Sequence, residues 1–439
     1  MIAAIMVGAP VARAGDITTT DITFTRSDAT ITNGTIHAPA GATGRPGVVL
    51  VHGSGTEKSP QYDQVAAALA REGIVALRYD KRAENYTPAH RDYSLLADDA
   101  LSAVAALRNR TEVDPAKVGI WGLSEGGWVA PLAVSRSADA AFLITIGANS
   151  GAPAAQQTWA NETRFEAAGV RGSMVDVLGR NGIRVMAGAG LFAQADYNPL
   201  PVLARIQQPV LGIWGELDRL TPPGDSLRGF QEVFDRAGKT NYALRTLENA
   251  QHGGFTTTDG FDKGDELAPG YAQLMGDWVN GLPGSANVQA DPPAAQGHSV
   301  TPLSPLKWWE SPTAQLILLA VTVLALLGYA LTGFVEAWRL PSVAPARILL
   351  AASVIGIMGA FAQLLFVASS RATEFGPLLF GRTLPWVALQ VIACGAVVAL
   401  GFVVVRRPQG TGQQIRWAMI VCAGIGFTLW SVYWGLLRP

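Results

Sequence analysis

Four apolar stretches in the last third of the chain restrict its fold more than any other feature. They cover residues 313–334, 348–370, 384–405 and 417–437, and none has a charged residue in its interior. A helix of about twenty apolar residues spans the hydrocarbon core of a bilayer and satisfies its own backbone hydrogen bonds there. We therefore expect four transmembrane helices, joined to the preceding hydrophilic part by a linker at 283–312 that is rich in Pro, Ala and Gly.

The membrane stretches contain little polar chemistry. Gln363 and Gln390 are the polar side chains predicted at depth, so the sequence does not favour transport of ions or polar solutes. Tryptophan side chains near the ends of a membrane helix prefer the interface with water. We expect interfacial positions for Trp308, Trp309, Trp386, Trp430 and Trp434.

The N-terminus predicts export of the hydrophilic part. Residues 2–11 are apolar and Ala12-Arg13-Ala14 follows, which is typical of a signal peptide at 1–14 with cleavage after Ala14. The chain would then be a multi-pass protein of the cytoplasmic (inner) membrane, with its hydrophilic part on the extracytoplasmic side. Basic residues favour the loops that this topology places inside, which hold Arg339, Arg347, Arg406, Arg407 and Arg416.

Composition excludes several classes for the hydrophilic part. It has more Asp and Glu than Lys and Arg, so a nucleic-acid partner is not expected. The two cysteines, Cys394 and Cys422, both lie in the apolar stretches, which leaves the hydrophilic part without a Cys-based metal site or a disulfide. We expect no metal and no other cofactor.

Residues 17–282 alternate between patterns typical of strands and of helices. Residues 17–25 and 29–38 predict an antiparallel pair with a turn around Thr32-Asn33-Gly34. Later apolar runs are separated by helical segments, which is typical of a mostly parallel sheet with helices on both faces. Residues 151–208 interrupt this alternation without a clear strand, and we interpret them as a helical cap over a binding site.

A serine motif lies at the centre of this domain, within residues 118–127. Val118 to Trp121 predict a buried strand, Gly122-Leu123-Ser124-Glu125-Gly126 follows, and a helical pattern begins after Gly127. G-x-S-x-G between a strand and a helix forms a strained turn that exposes the serine. The small residues on either side permit that turn. The pattern predicts Ser124 as a nucleophile.

An activated serine needs a base and a carboxylate that orients the base, and in this arrangement they follow in the order Ser, Asp or Glu, His. His252 and His298 are the histidines that follow Ser124, and His298 falls in the linker. His252 is therefore the predicted base. Asp218 is the preferred acid and Glu216 the alternative, since both follow the preceding predicted strand.

The tetrahedral intermediate of acyl transfer needs two backbone N–H donors. The residue after the nucleophile, Glu125, provides one, and the loop after the third strand provides the other. That loop is His52-Gly53-Ser54-Gly55, and Ser54 is the predicted donor. We interpret His52 as a structural residue that supports the loop.

Several motifs together resemble a known family. The stretches are Val51-His52-Gly53-Ser54-Gly55, Arg78-Tyr79-Asp80-Lys81-Arg82, Gly122-Leu123-Ser124-Glu125-Gly126-Gly127, Gly215-Glu216-Leu217-Asp218 and Gln251-His252-Gly253. Over about residues 20–282 the chain is similar to α/β-hydrolases of the dienelactone-hydrolase and serine-aminopeptidase-like group, above all to EstD-type bacterial carboxylesterases. The resemblance implies an α/β-hydrolase fold and an ester hydrolase with Ser124 as nucleophile, Asp218 as acid and His252 as base.

The sequence departs from this family at two places. Leu123 stands where the family usually has His, and Ala83-Glu84 stand where the Asp-Lys-Arg stretch usually continues with Gly. Neither change removes a predicted catalytic group, although both alter the surroundings of the site.

These features predict a membrane-anchored serine esterase that acts on a small-molecule or lipid ester through an acyl-enzyme. An aminopeptidase or acyltransferase using the same three residues is an alternative. In the aminopeptidase, Glu162 or Glu166 of the cap would hold a substrate amine. A membrane protein with a non-catalytic, hydrolase-like sensor domain is the alternative from another class.

Overall fold

The computed structural model describes residues 16–56, 58–282, 288–335, 340, 343–370 and 373–439. The predicted signal peptide lies outside these residues, as does Arg339. The chain divides into two compact units. The first holds the described residues up to Gln156 together with Ala193–Val300, and the second holds Gln157–Phe192 and Thr301–Pro439. The predicted cap is therefore shared, because its middle belongs to the second unit and its two ends to the first.

A nine-stranded sheet forms the centre of the first unit. Its strands are β1 (Ile17–Thr25), β2 (Ile31–Pro39), β3 (Arg45–Val51), β4 (Val75–Tyr79), β5 (Val113–Leu123), β6 (Leu143–Ile146), β7 (Val210–Gly215), β8 (Tyr242–Leu247) and β9 (Gln289–Ala290). They pair in the order β1-β2-β4-β3-β5-β6-β7-β8-β9. Strand β2 is antiparallel to both of its neighbours, and the pairs from β4 to β9 are parallel.

Helices connect these strands. They are α1 (Asp63–Arg71), α2 (Tyr93–Arg108), α3 (Gly126–Val134), α4 (Pro153–Ala167), α5 (Gly182–Gly188), α6 (Leu200–Leu203), α7 (Pro223–Arg236) and α8 (Tyr271–Asn280). Helices α1 and α8 cover one face of the sheet, and α2, α3 and α7 cover the other. In β3, Val48 and Leu50 face the first layer and Val49 and Val51 the second. Burial on both faces explains why this strand is a continuous apolar run.

The predicted turn of the first hairpin is wrong. The chain reverses at Arg26–Thr30, where the Arg26 N–H donates to the Thr30 carbonyl and Ala29 takes a φ of +66°. Gly34 instead lies inside β2 and pairs with Tyr79. A Cβ at Gly34 would lie 2.9 Å from the Arg78 carbonyl oxygen, so this glycine permits close packing of β2 on β4.

Four long apolar helices dominate the second unit. They are α9 (Pro312–Leu331), α10 (Val343–Ser369), α11 (Leu384–Val405) and α12 (Thr411–Tyr433), and a two-stranded hairpin of β10 (Leu378–Leu379) and β11 (Arg382–Thr383) precedes α11. Each of the four is long and apolar enough to cross a membrane. The predicted bounds hold to within six residues.

The inserted segment Gln157–Phe192 packs at one end of the helix bundle. Phe165 stacks edge-on against Phe375 with ring centroids 5.2 Å apart. Ser173 Oγ donates to the Arg438 carbonyl at 3.0 Å. Arg184 forms a two-bond ion pair with Glu310 at 3.0 and 3.1 Å. The contacts lie where α9 begins, α10 ends and α12 ends, so one end of the bundle carries the insertion.

Two expectations about the membrane helices need correction. Trp386 and Trp430 are buried inside the second unit rather than exposed in an interfacial belt, whereas Trp308 and Trp309 are exposed. Arg347, expected in a loop, lies inside α10. Arg416, also expected in a loop, lies inside α12, because the helix continues through polar residues beyond the apolar stretch. Its guanidinium donates to the Tyr329 carbonyl at 3.2 Å and lies over the Tyr329 ring.

Candidate active site

Ser124 lies on a strained turn between β5 and α3. Its φ is +55°, a left-handed conformation that costs a non-glycine residue about 1–2 kcal/mol. Its N–H donates to the Ile146 carbonyl at 2.9 Å, and its carbonyl accepts from Gly127 at 2.7 Å. A Cβ at Gly122 would lie 2.2 Å from the Gly126 carbonyl oxygen. The glycines of the motif are therefore required by the close approach of strand and helix.

His252 and Asp218 form a buried pair at the carboxyl ends of β8 and β7. His252 Nδ1 lies 2.8 Å from Asp218 Oδ2, and Asp218 is fully buried. The other carboxylate oxygen accepts from the N–H groups of Leu220 and Thr221, both at 2.8 Å. These two bonds fix the carboxylate. A carboxylate at Nδ1 assigns the proton to that nitrogen and leaves the Nε2 lone pair free to accept a proton.

The end of β6 brings Ser124 and His252 to the same edge of the sheet. Ile146, the last residue of β6, accepts the hydrogen bond from Ser124. The next residue, Gly147, lies against the imidazole, since a Cβ there would be 2.7 Å from His252 Nδ1. No role is predicted for Gly147 from the sequence. Its position directly after a buried strand was the signal that could have indicated one.

The structure separates the two candidate carboxylates. Asp218 contacts the imidazole, whereas Glu216 Oε2 accepts a hydrogen bond from the Asn249 N–H at 3.2 Å. Glu216 is exposed. Of the two, the geometry therefore favours Asp218 as the partner of His252.

The loop at residues 52–55 lies beside the serine turn. A Cβ at Gly53 would be 3.5 Å from the Ser124 Cβ. The N–H groups of Gly53 and Gly55 donate to tyrosine hydroxyls at 3.0 and 3.1 Å. Within the described part of the chain, the N–H groups of Ser54 and Glu125 donate to no acceptor. The N–H groups of Ser54 and Glu125, predicted to bind the oxyanion, are thus available. The N–H groups of Gly53 and Gly55, on either side of Ser54, are already hydrogen-bonded.

His52, the first residue of this loop, is buried, as its structural interpretation requires. Its ring packs edge-on against Tyr62 and Tyr79, with centroids 5.1 and 5.0 Å away. Burial, together with the nearby charge of Lys81, lowers the pKa of His52 to about 3. The imidazole is therefore neutral at physiological pH.

The side chain of Glu125 belongs to a network that the sequence analysis did not identify. This buried carboxylate contacts Lys81 Nζ at 2.6 Å, Arg91 Nη1 at 3.0 Å and the Tyr86 hydroxyl at 2.7 Å. Lys81 belongs to the Asp80-Lys81-Arg82 stretch, which contributes to the family resemblance but for which the sequence predicts no role.

Two other expectations concern a metal ion and the two acids of the inserted segment. Among the described residues, no group of three His, Cys, Asp or Glu side chains is arranged to hold a metal ion. Glu162, one of the two acids proposed to hold an amine, forms an ion pair with Arg180 at 2.8 Å in the inserted segment. Glu166, the other, is exposed in the same segment.

Strand β2 is antiparallel to its neighbours, β4 to β9 are parallel, and the strained serine follows β5, which together is the arrangement of an α/β-hydrolase fold. The predicted fold class is confirmed. Residues 95–268 match the model of the prolyl oligopeptidase family, a range that includes Ser124, Asp218 and His252.

Individual relatives match shorter parts of the chain. It is 34% identical to the esterase EstD of Thermotoga maritima over 134 residues, which are 28% of this chain and 32% of that protein. It is 32% identical to the polyketide transferase claH of Penicillium crustosum over 87 residues, which are 19% of this chain and 28% of that protein. The chain thus spans about a third of the length of these relatives. The resemblance to EstD-type esterases is confirmed over this part.

Solved structures resemble the chain at lower identity. A dienelactone hydrolase-like promiscuous phosphotriesterase from metagenomic libraries shares 19% identity at a TM-score of 0.40, covering 61% of this chain and 99% of that chain.

Proposed function

We propose that the protein is a serine hydrolase that cleaves carboxylic esters through an acyl-enzyme. Ser124 Oγ attacks the ester carbonyl and passes its proton to His252 Nε2, while Asp218 holds the imidazole and balances its charge. The N–H groups of Ser54 and Glu125 bind the oxyanion. The imidazolium protonates the leaving alcohol, and a water molecule, activated by the same imidazole, then releases the acid and restores Ser124.

The observation that carries this proposal is the hydrogen bond between His252 Nδ1 and a fully buried Asp218 at the strand edge where Ser124 is strained. Strained backbone at the half-buried Ser124 supports a functional rather than a structural origin. An imidazole with an oriented Nδ1–H is what a general base for the serine needs.

Labelling with a fluorophosphonate tests the proposal on the full-length protein in detergent. We expect rapid labelling of the wild type, and loss of the label in Ser124→Ala and His252→Ala. Ser135→Ala, at the end of α3, is the matched control and should label like the wild type. A folded wild type that takes no label would refute the triad and favour the sensor-domain hypothesis.

Transfer rather than hydrolysis is the second candidate, because one relative is named a polyketide transferase. Peptide cleavage is the third, because the matching family model is that of prolyl oligopeptidases. Rates on p-nitrophenyl esters and on aminoacyl p-nitroanilides separate esterase from peptidase. Adding a primary alcohol or amine separates water from other acceptors, since a transferase would form the new ester or amide faster than the free acid.

The four apolar helices, we propose further, anchor the hydrolase in the inner membrane with its site on the extracytoplasmic side. Four spans return the chain to the side on which they begin. In agreement, Glu310 before α9 and Arg438 after α12 both contact the inserted segment. Alkaline phosphatase fused after Pro439 should be active, and the same reporter at Gln409, between α11 and α12, should be inactive. The reverse result would invert the topology.

A further inference from the structure

A buried charge cluster lies behind the serine turn and has no part in the chemistry proposed above. That chemistry uses the backbone N–H of Glu125, yet the side chain of Glu125 is 1% exposed. Its carboxylate contacts two cations, Lys81 and Arg91, and the phenol of Tyr86. Burying a charge is costly unless it is paired and hydrogen-bonded. A residue with a small apolar side chain would supply the same N–H at lower cost, so the carboxylate needs another explanation.

Two of the three partners of Glu125 also hold the neighbouring loop. Lys81 Nζ donates to the Gly53 carbonyl at 2.7 Å as well as to Glu125 at 2.6 Å. The Tyr86 hydroxyl accepts from the Gly55 N–H at 3.1 Å and donates to Glu125. Lys81 and Tyr86 therefore bridge the serine turn and the loop, one on each side of Ser54.

Arg91 differs from these two residues. It binds the same carboxylate at 3.0 Å, but in the described part of the chain it makes no hydrogen bond to the 52–55 loop. Its side chain is also more exposed, at 17% against 4% for Lys81. Arg91 adds charge balance to Glu125 without joining the two segments, and it provides an internal comparison.

The phenol of Tyr86 is fixed in its protonated form. Burial and the charge of Glu125 both raise its pKa. The hydroxyl therefore donates its single proton to the Glu125 carboxylate, and its oxygen accepts a hydrogen bond from the Gly55 N–H. Lys81 Nζ also lies 4.0 Å from the centre of the Tyr86 ring, which adds a cation–π contact between the two bridges.

From these contacts we infer that Lys81 and Tyr86 are positioning residues that set the separation of the two oxyanion donors, the N–H groups of Ser54 and Glu125. The inference rests on the proposed function and adds residues to it. Oxyanion donors act because they are preorganised at the place where charge develops. A donor on a glycine-flanked loop is preorganised only if the loop is held, and here both glycines are held by groups that also hold Glu125.

Tyr86→Phe is the first test, because it removes one hydroxyl and leaves Glu125 paired with both cations. Removing an oxyanion donor outright lowers kcat by about 10²–10³. A less firmly held Ser54 N–H should lower kcat by a smaller factor. We expect kcat on p-nitrophenyl butyrate to fall about tenfold, with KM within a factor of about two of the wild-type value. Lys81→Met should act similarly, since Glu125 then keeps Arg91 as its counter-ion. Lys81→Met also tests the inference if Tyr86→Phe does not fold.

Two controls separate positioning from general destabilisation. Tyr242→Phe removes another tyrosine–carboxylate bond, to Asp235 on α7, and should leave kcat unchanged. Arg91→Met removes a partner of Glu125 that does not reach the loop, so its effect on kcat should be clearly smaller than that of Tyr86→Phe. Thermal unfolding of all four variants reports their stability independently.

A transition-state analogue gives the decisive readout. Ser124 Oγ adds to the carbonyl of an aryl trifluoromethyl ketone, its proton passes to His252, and the resulting alkoxide occupies the oxyanion hole. The inhibition constant should rise in Tyr86→Phe by the same factor as kcat falls. An unchanged kcat, a fall in kcat without weaker inhibition, or an equal effect of Arg91→Met would overturn the inference. A wild type without hydrolytic activity would refute the proposed function instead.

Discussion

Replacing Gly147 by alanine is the sharpest single test of how the site is assembled. The residue follows β6 with a φ of +56°, and an alanine Cβ would lie 2.7 Å from His252 Nδ1 and 2.8 Å from both Cε1 and the His252 carbonyl oxygen. Ordinary contacts between such atoms are about 3.5 Å. The imidazole would therefore have to retreat by roughly 0.8 Å, or the loop that carries it would have to move as a whole.

The expected loss follows from that displacement. A misplacement of about 1 Å at a catalytic group costs about 10² in rate, so kcat of Gly147→Ala should fall by roughly that factor. The left-handed backbone adds a stability cost of about 1–2 kcal/mol for any L-residue. The first effect depends on contact with His252, whereas the second does not.

Gly238→Ala separates the two effects. Gly238 follows α7 with a φ of +68°, and a Cβ there would meet nothing within 4 Å. Both variants should lower Tm, Gly147→Ala by the larger amount because of its contact with His252, but kcat on p-nitrophenyl butyrate should fall in Gly147→Ala alone. Equal activities in the two variants, at equal concentration of folded protein, would refute the placement of His252 against Gly147.

Three further predictions concern the carboxylates, the pH dependence of stability and the inserted segment. Asp218→Asn should lower kcat by about 10⁴, because the imidazole loses its orienting acceptor, whereas Glu216→Gln should keep kcat within a factor of about two; steady-state kinetics compare them. Burial lowers the pKa of His52 from 6.5 to about 3, so its contribution to the free energy of unfolding is complete above pH 6.5 and falls by about 2 kcal/mol at pH 5. A smaller loss of Tm between pH 6.5 and 5 in His52→Asn than in the wild type would bear this out, and an equal loss would contradict it. Arg184→Met should expose the inserted segment to limited proteolysis, because it leaves a mostly buried carboxylate unpaired, while Arg236→Met, which breaks an exposed pair, should be cleaved like the wild type.

The parts of the fold that were predictable are those governed by local pattern. The strand–serine–helix turn follows from small residues at fixed spacing, and the four apolar helices follow from length and the absence of charge. The turn predicted for the first hairpin is wrong because of a tertiary contact. Asn33-Gly34 is typical of a tight turn, but here Gly34 permits β2 to approach the Arg78 carbonyl on β4, a strand more than forty positions away along the chain.

The order of residues predicted Ser124, Asp218 and His252, but it left the choice between Asp218 and Glu216 open. Both carboxylates follow the same strand, and only the turn after β7 decides which of them reaches the imidazole. The side-chain network of Glu125 was beyond sequence reasoning for a similar reason. Lys81 follows β4 and Glu125 follows β5, and the ladder of β4, β3 and β5 is what brings them together.

Several polar groups of the helix bundle bind backbone carbonyls near helix ends. Arg416 donates to the Tyr329 carbonyl near the end of α9, where the last carbonyls of a helix lack partners of their own. Gln390 donates to the Arg438 carbonyl at 2.7 Å, after the end of α12. The buried amide nitrogen of Gln363 has no hydrogen-bond partner among the described residues and carries no charge. Arg416 and Gln390 thus satisfy backbone carbonyls at or after the ends of α9 and α12.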